Sequence, residues 1–175
     1  MAKLILIVDD EPGIIEVMTD YIGMADLDVN VITASSVDKA LLLVESKKPD
    51  LIVTDIAMPE KTGLDFLREL GVRRVETPVI VVTGYADEDM LEDAWKLGAN
   101  ACLKKPLNRK DFLAAISGLM VKGKSFIFES ATAPASRIVQ LVLSEGLMKK
   151  VGEAASKEKM SVAAWIVAGI EKAVH

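Results

Sequence analysis

The chain has one cysteine, Cys102, and one histidine, His175, among 175 residues. A lone thiol excludes an internal disulfide framework, and one thiol with one imidazole excludes a Cys/His zinc site. Long apolar runs are also missing. Runs such as Leu4–Val8 and Val79–Val82 fall far short of the roughly 20 residues needed to cross a bilayer. Near Met1 no basic region precedes a long apolar stretch, so no secretory signal is visible and the cytoplasm is the expected compartment. What is present is a composition of 51% apolar and 27% charged residues, enough for a sizeable core. The length allows one ordinary domain or one domain with a small appendage. The net charge of −5 divides unevenly into −7 over residues 1–122 and +2 over residues 123–175. An acidic body with a mildly basic tail points to two jobs.

The first 120 residues alternate between two patterns. Apolar, β-branched runs at Leu4–Val8, Val29–Thr33, Leu51–Thr54, Val79–Val82 and Asn100–Leu103 predict five strands. The third and fourth lack polar alternation, as expected of strands buried on both faces of a parallel sheet. Between them lie helical repeats. Pro12 opens a helix towards Ala25 with Ile14, Ile15, Met18 and Ile22 on one stripe. Ser36 caps a second, carrying Ala40, Leu41 and Val44. Leu64, Phe66, Leu67 and Leu70 mark a third, Asp87–Leu97 closed by Gly98 a fourth, and Asn108 to Met120 a fifth. This alternation predicts a doubly wound α/β fold of the flavodoxin-like kind, with strand order 2-1-3-4-5.

Chemistry gathers just past the strands. Asp55 follows the third, before the turn at Met58-Pro59, and by itself reads equally as a turn or capping acid. Asp9 and Asp10 follow the first strand, Thr83 ends the fourth, and Lys105 follows the fifth. In the predicted strand order the first and third strands are neighbours, so three carboxylates share one crevice with a hydroxyl and an ammonium. Like charges so placed need a cation. Oxygen-only ligands favour a hard ion such as Mg²⁺, which keeps several waters and binds phosphate. Thr83 and Lys105 suit phosphoryl oxygens. A carboxylate attacks a phosphoryl group slowly mainly because of charge repulsion, which Mg²⁺ and Lys105 would offset.

Residues 3–120 resemble a response-regulator receiver domain. The matching motifs are Val8-Asp9-Asp10-Glu11, Asp55-Ile56-Ala57-Met58-Pro59 with Gly63, Val82-Thr83-Gly84, and Gly98-Ala99 leading to Lys104-Lys105-Pro106. The resemblance implies that Asp55 is the phospho-accepting nucleophile and that a sensor histidine kinase supplies the phosphoryl group. It implies Mg²⁺ held by Asp10, Asp55 and the carbonyl of Ala57, with Asp9 acting mostly through a metal-bound water. Lys105 would pair with the phosphoryl group, Thr83 would hydrogen-bond it, and the Lys105-Pro106 peptide would be cis. Such a domain catalyses only its own phosphorylation and dephosphorylation, and His175 is not expected to be the donor. Two departures stand out. Cys102 occupies the fifth-strand position where the family usually carries Tyr or Phe, so the aromatic reporter of phosphorylation is absent or altered. Gly84 stands where Ala is common. Two positions that tune acyl-phosphate lifetime in the family hold Ala57 and Tyr85, neither suited to activating water, which predicts a moderately long-lived phosphoryl state.

The remainder divides into a linker over 122–136, with an apolar Phe126-Ile127-Phe128 centre that needs packing, and a segment over 137–175. The linker closes a domain spanning 1–121. A strand is predicted near Arg137–Leu143, then a helix with Leu147, Val151 and Ala155 on one face, and a second helix capped by Ser161 and carrying Trp165. So small a unit cannot bury enough apolar surface alone, so a homodimer is expected. The pattern resembles a ribbon-helix-helix domain, which implies a ribbon in the DNA major groove and Ser161 at phosphate. Gln140 is the outward residue able to read base edges. The expected role is phosphorylation-controlled transcription regulation. The rival is a signalling adaptor whose tail only dimerises or docks a protein.

Overall fold

A run of apolar side chains on both faces of a strand is stable only when each face is covered, and the strands of this protein follow that rule. The computed structural model describes residues 2–84, 88–120, 125–129, 138–142, 151 and 154–158. β1 (Lys3–Val8), β2 (Val29–Ala34), β3 (Leu51–Asp55), β4 (Val79–Thr83) and β5 (Ala101–Lys104) form a parallel sheet in the order β2-β1-β3-β4-β5. Every residue of β3 and β4 is buried. Helices α1 (Pro12–Gly23), α2 (Val37–Lys47), α3 (Gly63–Val72), α4 (Glu88–Lys96) and α5 (Arg109–Met120) provide the cover.

Alternation along the strands sends neighbouring residues to opposite faces. Ile5, Ile7, Val53, Ile80, Val82 and Leu103 pack with Met18 and Ile22 of α1 and Phe112 and Ile116 of α5. Leu6, Val8, Ile52, Val81 and Cys102 pack with residues of α2, α3 and α4, including Val44, Phe66, Leu67 and Ala94. Each fully buried Ile, Leu or Phe contributes about 1.5–3 kcal/mol relative to exposure, so both layers carry the fold.

The helix ends follow the sequence signals. Pro12 takes the first position of α1. The Ser36 hydroxyl accepts from the Lys39 amide at α2, which ends at Lys48 in the left-handed conformation, φ 50°. At α3, Thr62 Oγ1 accepts from the Asp65 amide while the Asp65 carboxylate accepts from the Thr62 amide, a reciprocal capping box. Gly98 closes the α4 region with φ 100°. Asn108 Oδ1 accepts from the Lys110 amide at the start of α5.

Where the strands begin, side chains extend the ladders. Asp50 Oδ2 accepts from the Leu4 amide at 2.8 Å, Asn100 Oδ1 from the Val79 amide at 2.8 Å, and the Pro49 carbonyl from Thr77 Oγ1 at 3.0 Å. The Lys3 ammonium donates to the Met120 carbonyl, covering the C-terminus of α5.

The sheet does not stop at β5. β6 (Ser125–Glu129) pairs parallel with it at Ala101 and Ile127, and β7 (Ile138–Val142) pairs antiparallel with β6 over five residues. Residues 125–129, inside the stretch expected as a linker, form β6. The Phe126-Ile127-Phe128 centre lies in this strand, which is how so apolar a run finds backbone partners. β7 falls where a strand was expected, but its partner is β6 of the same chain. Residues 154–157 are helical, and Val151 and Ala155, expected on one face of a helix, are buried. Leu147, Ser161 and Trp165 lie outside the described residues.

Candidate functional site

Strand register assembles the site. Val8 lies opposite Thr54, Asp55 opposite Val82, and Thr83 opposite Lys104. One residue beyond the first pair, Asp9 meets Asp55. One beyond the last, Lys105 meets Thr83, whose carbonyl accepts from the Lys105 amide at 2.8 Å. Carboxylate oxygens of Asp9, Asp10 and Asp55 all lie within 4.8 Å of one another. Lys105 Nζ stands 3.0 Å from Asp9 Oδ2, 3.3 Å from Asp55 Oδ2 and 3.6 Å from Glu11 Oε1. The Lys105-Pro106 peptide is cis, as expected.

Burial sharpens the electrostatics. Asp9 is 0% exposed and Asp55 3%. Burial raises the Asp9 pKa above 3.8, against the opposing pull of the Glu11 amide and the Lys105 ammonium. Burial also works against the charged form of Lys105, but its pairs with Asp9 and Asp55 outweigh that and hold its pKa above 10.5. One ammonium thus faces three clustered carboxylates, an imbalance that favours a cation. The all-oxygen donor set suits Mg²⁺. Asp10 is partly exposed, and Ala57 is exposed in the turn after β3, a position that offers its carbonyl and no side-chain chemistry.

The Thr83 hydroxyl also suits a ligand. Thr83 is fully buried, and its Oγ1 has no hydrogen-bond partner among the described residues. An orphaned buried hydroxyl costs about 1–3 kcal/mol, so this group is set for a ligand oxygen.

Asp55 is held by its surroundings. The Ile56 amide donates to Asp55 Oδ1 at 2.8 Å, and the Gly63 amide donates to the Ile56 carbonyl at 2.9 Å. A Cβ on Gly63 would lie 2.1 Å from the Asp55 carbonyl oxygen and 2.9 Å from Ile56 Cα. The turn after β3 closes over Asp55 only because residue 63 has no side chain.

The site residues read from the sequence, Asp9, Asp10, Asp55, Thr83 and Lys105, converge. Gln140 lies on β7 opposite Ile127, remote in the sheet order from β1 and β3. Cys102 is buried in the cluster against which Trp95 of α4 packs. Sequence reading gave no role to Glu11. The signal was its place after Asp9-Asp10 and before the helix-opening Pro12, which puts it on the turn above the sheet end.

The sequence pattern that defines the response regulator receiver domain matches residues 5–117, and the chain belongs to that family. It is 31% identical over 120 residues to the alkaline phosphatase synthesis transcriptional regulatory protein PhoP of Bacillus subtilis, covering 69% of this chain and 49% of that protein. It is 32% identical over 114 residues to the transcriptional regulatory protein PdtaR of Mycobacterium tuberculosis, covering 65% of this chain and 55% of that protein. The chain thus spans about half the length of these curated relatives. A CheY-like receiver domain from Methanospirillum hungatei superposes with a TM-score of 0.64 at 28% identity, covering 69% of this chain and 94% of that one. Receiver domains bind Mg²⁺ at their acidic pocket, and the Asp9, Asp10 and Asp55 cluster occupies that place. No helix among the described residues is long and apolar enough to cross a membrane.

Proposed function

We propose that the protein is a phospho-accepting response regulator in which Asp55 receives a phosphoryl group from the phosphohistidine of a sensor histidine kinase. The observation that carries this reading is the buried Thr83 hydroxyl, without a partner among the described residues, at the end of the strand next to that of Asp55, which is paired with Lys105. An acceptor carboxylate, an ammonium for the phosphoryl charge and a spare hydroxyl stand at adjacent strand ends. Asp55 Oδ forms the new bond to phosphorus as the bond to the donor breaks and its electron pair leaves with the donor. Lys105 balances the negative charge as it gathers, and Thr83 donates to a phosphoryl oxygen. Asp9, Asp10, Asp55 and the Ala57 carbonyl would hold Mg²⁺, which when bound screens the repulsion between Asp55 and the incoming group. The test is incorporation of phosphate from acetyl phosphate with Mg²⁺. The chain should be labelled and D55N should not; label retained in D55N would reject the assignment.

For the output, the favoured reading is transcription regulation by a homodimeric 137–175 segment of ribbon-helix-helix type, with Gln140 and Ser161 at DNA, in the cytoplasm. The similarity to transcriptional regulatory proteins supports it. The second reading is an adaptor whose tail only dimerises or docks a protein. It is favoured by the pairing of β7 with β6 of its own chain, which occupies one edge of the strand a DNA ribbon would use. DNA binding measured against salt, with and without acetyl phosphate, separates them, since phosphate contacts give a steep salt dependence. No binding at low salt leaves the adaptor.

A further inference from the structure

Resting on the phospho-acceptor reading of Asp55, we infer that Glu11 is a charge-selecting and positioning residue of the site, one that disfavours anionic phosphodonors and draws the Lys105 ammonium away from the metal-binding carboxylates. Three carboxylates hold that ammonium. Asp9 and Asp55 are buried, and both belong to the cluster that would take the cation. Glu11 differs on each count. Its side chain is 65% exposed and lies outside that cluster.

Its backbone is nonetheless fixed. The Glu11 amide donates to Asp9 Oδ1 at 2.9 Å, and its carbonyl accepts from the amides of Ile14 and Ile15 at the start of α1. Pro12 follows at the first helical position. A rigid main chain thus holds a solvent-facing carboxylate 3.6 Å from the ammonium. Two consequences follow from charge alone. A cation entering the acidic cluster must compete with Lys105 for Asp9 and Asp55, and Glu11 offers the displaced ammonium a partner outside the cluster. A donor arriving from solvent meets a negative charge beside the ammonium meant to receive it, and the penalty grows with the donor's own charge.

Two small donors deliver the same group with different charge. With acetyl phosphate the phosphorus–oxygen bond to acetate breaks and acetate leaves with the electron pair. With phosphoramidate the phosphorus–nitrogen bond breaks and ammonia leaves. In both, the new bond is to Asp55 Oδ. Acetyl phosphate carries more negative charge at neutral pH. Rates of labelling are measured for the full chain, E11Q and E11D at saturating Mg²⁺, in about 0.02 M and about 0.5 M salt, where the screening length changes severalfold. E11Q should speed labelling by acetyl phosphate about two- to fivefold at low salt and labelling by phosphoramidate less, with the gap closing at high salt. E11D should stay near the parent. Equal changes for both donors, or a gap that persists at high salt, would overturn the proposal.

Calorimetric titration with Mg²⁺ alone gives a second arm independent of phosphorylation. E11Q should bind the ion about two- to fivefold more weakly, with E11D again closer to the parent; unchanged affinity in E11Q overturns the positioning role. A parent chain that takes phosphate from neither donor, or a D55N chain that still does, would instead strike the phospho-acceptor reading, while the titration still decides whether Glu11 steers the ammonium.

Discussion

Two glycines of α3 make opposite predictions from the same substitution. Gly63 opens the helix beneath Asp55, where an added Cβ would stand 2.1 Å from the Asp55 carbonyl oxygen and 3.0 Å from its carbon. Ordinary contacts of this kind are above about 3.4 Å, so G63A forces the backbone apart by roughly 1 Å. The atom it meets is main chain at the end of a fully buried strand and cannot swing aside as a side-chain tip would. Overpacking of this kind costs about 1–3 kcal/mol. For a chain of this size that is a loss of about 2–4 °C in Tm per kcal/mol. Gly71 is near the other end of the same helix, exposed, with nothing within 4 Å of its Cβ position. G71A should stabilise by up to about 1 kcal/mol through the lower entropy of the unfolded chain and the helix preference of alanine. Urea unfolding of both variants checks the stability difference. Acetyl phosphate labelling should fall in G63A, because Asp55 moves, and remain unchanged in G71A. A G63A chain as stable as the parent, with parental labelling, would refute the claim that the turn closes over Asp55 only for want of a side chain.

Further outcomes follow from features at several scales. K105M removes the only ammonium within reach of fully buried Asp9 among the described residues, so the metal-free chain should lose about 3 kcal/mol. Much of that loss should return with saturating Mg²⁺, and a Tm gain on adding Mg²⁺ no larger than the parent's would contradict it. The Asp65 carboxylate is held below 3.8 chiefly by the Thr62 amide and hydroxyl. Its stabilisation is therefore complete above that value and is lost as pH falls through the lower folded value. T62A should cost about 1 kcal/mol at neutral pH, and denaturant midpoints should show the gap between T62A and parent narrowing as pH drops below about 4. Lys48 ends α2 at φ 50°, where a Cβ is unfavourable, so K48G should gain up to about 1 kcal/mol by thermal unfolding despite glycine's larger unfolded-state entropy.

Most of the receiver was legible because its signals are local. The apolar runs of β3 and β4, the stop at Asp55 and Thr83, and the caps at Ser36 and Asn108 each lie within a few residues of what they determine. The convergence of Asp9, Asp55 and Lys105 needed only the strand order, since parallel register then brings their strand ends together. What escaped depends on distances the sequence does not contain. Gly63 was visible as a motif residue, but its close approach to Asp55 spans a folded turn. Glu11 was visible as a motif residue without a role, because its 3.6 Å approach to Lys105 joins residues 94 positions apart. β6 was hidden because Gly123 and Pro134 punctuate 122–136 as a linker would, while its partner β5 lies more than twenty residues back.

The two ends of the parallel strands are built to different standards of closure. Where β1 and β4 begin, Asp50 and Asn100 supply acceptors to amides at the strand entrances, and Lys3 binds the last carbonyl of α5. Where the strands finish, carboxylates crowd one another and the Thr83 hydroxyl has no partner among the described residues. Opening of the sheet should therefore be directional. Amide hydrogens near Leu4 and Val79 should exchange only with global unfolding, and those around Ile56 and Lys105 should exchange through smaller excursions. A bound cation and phosphoryl group would close that difference from one side, so the ligand would be felt as a change in which end of the protein breathes first.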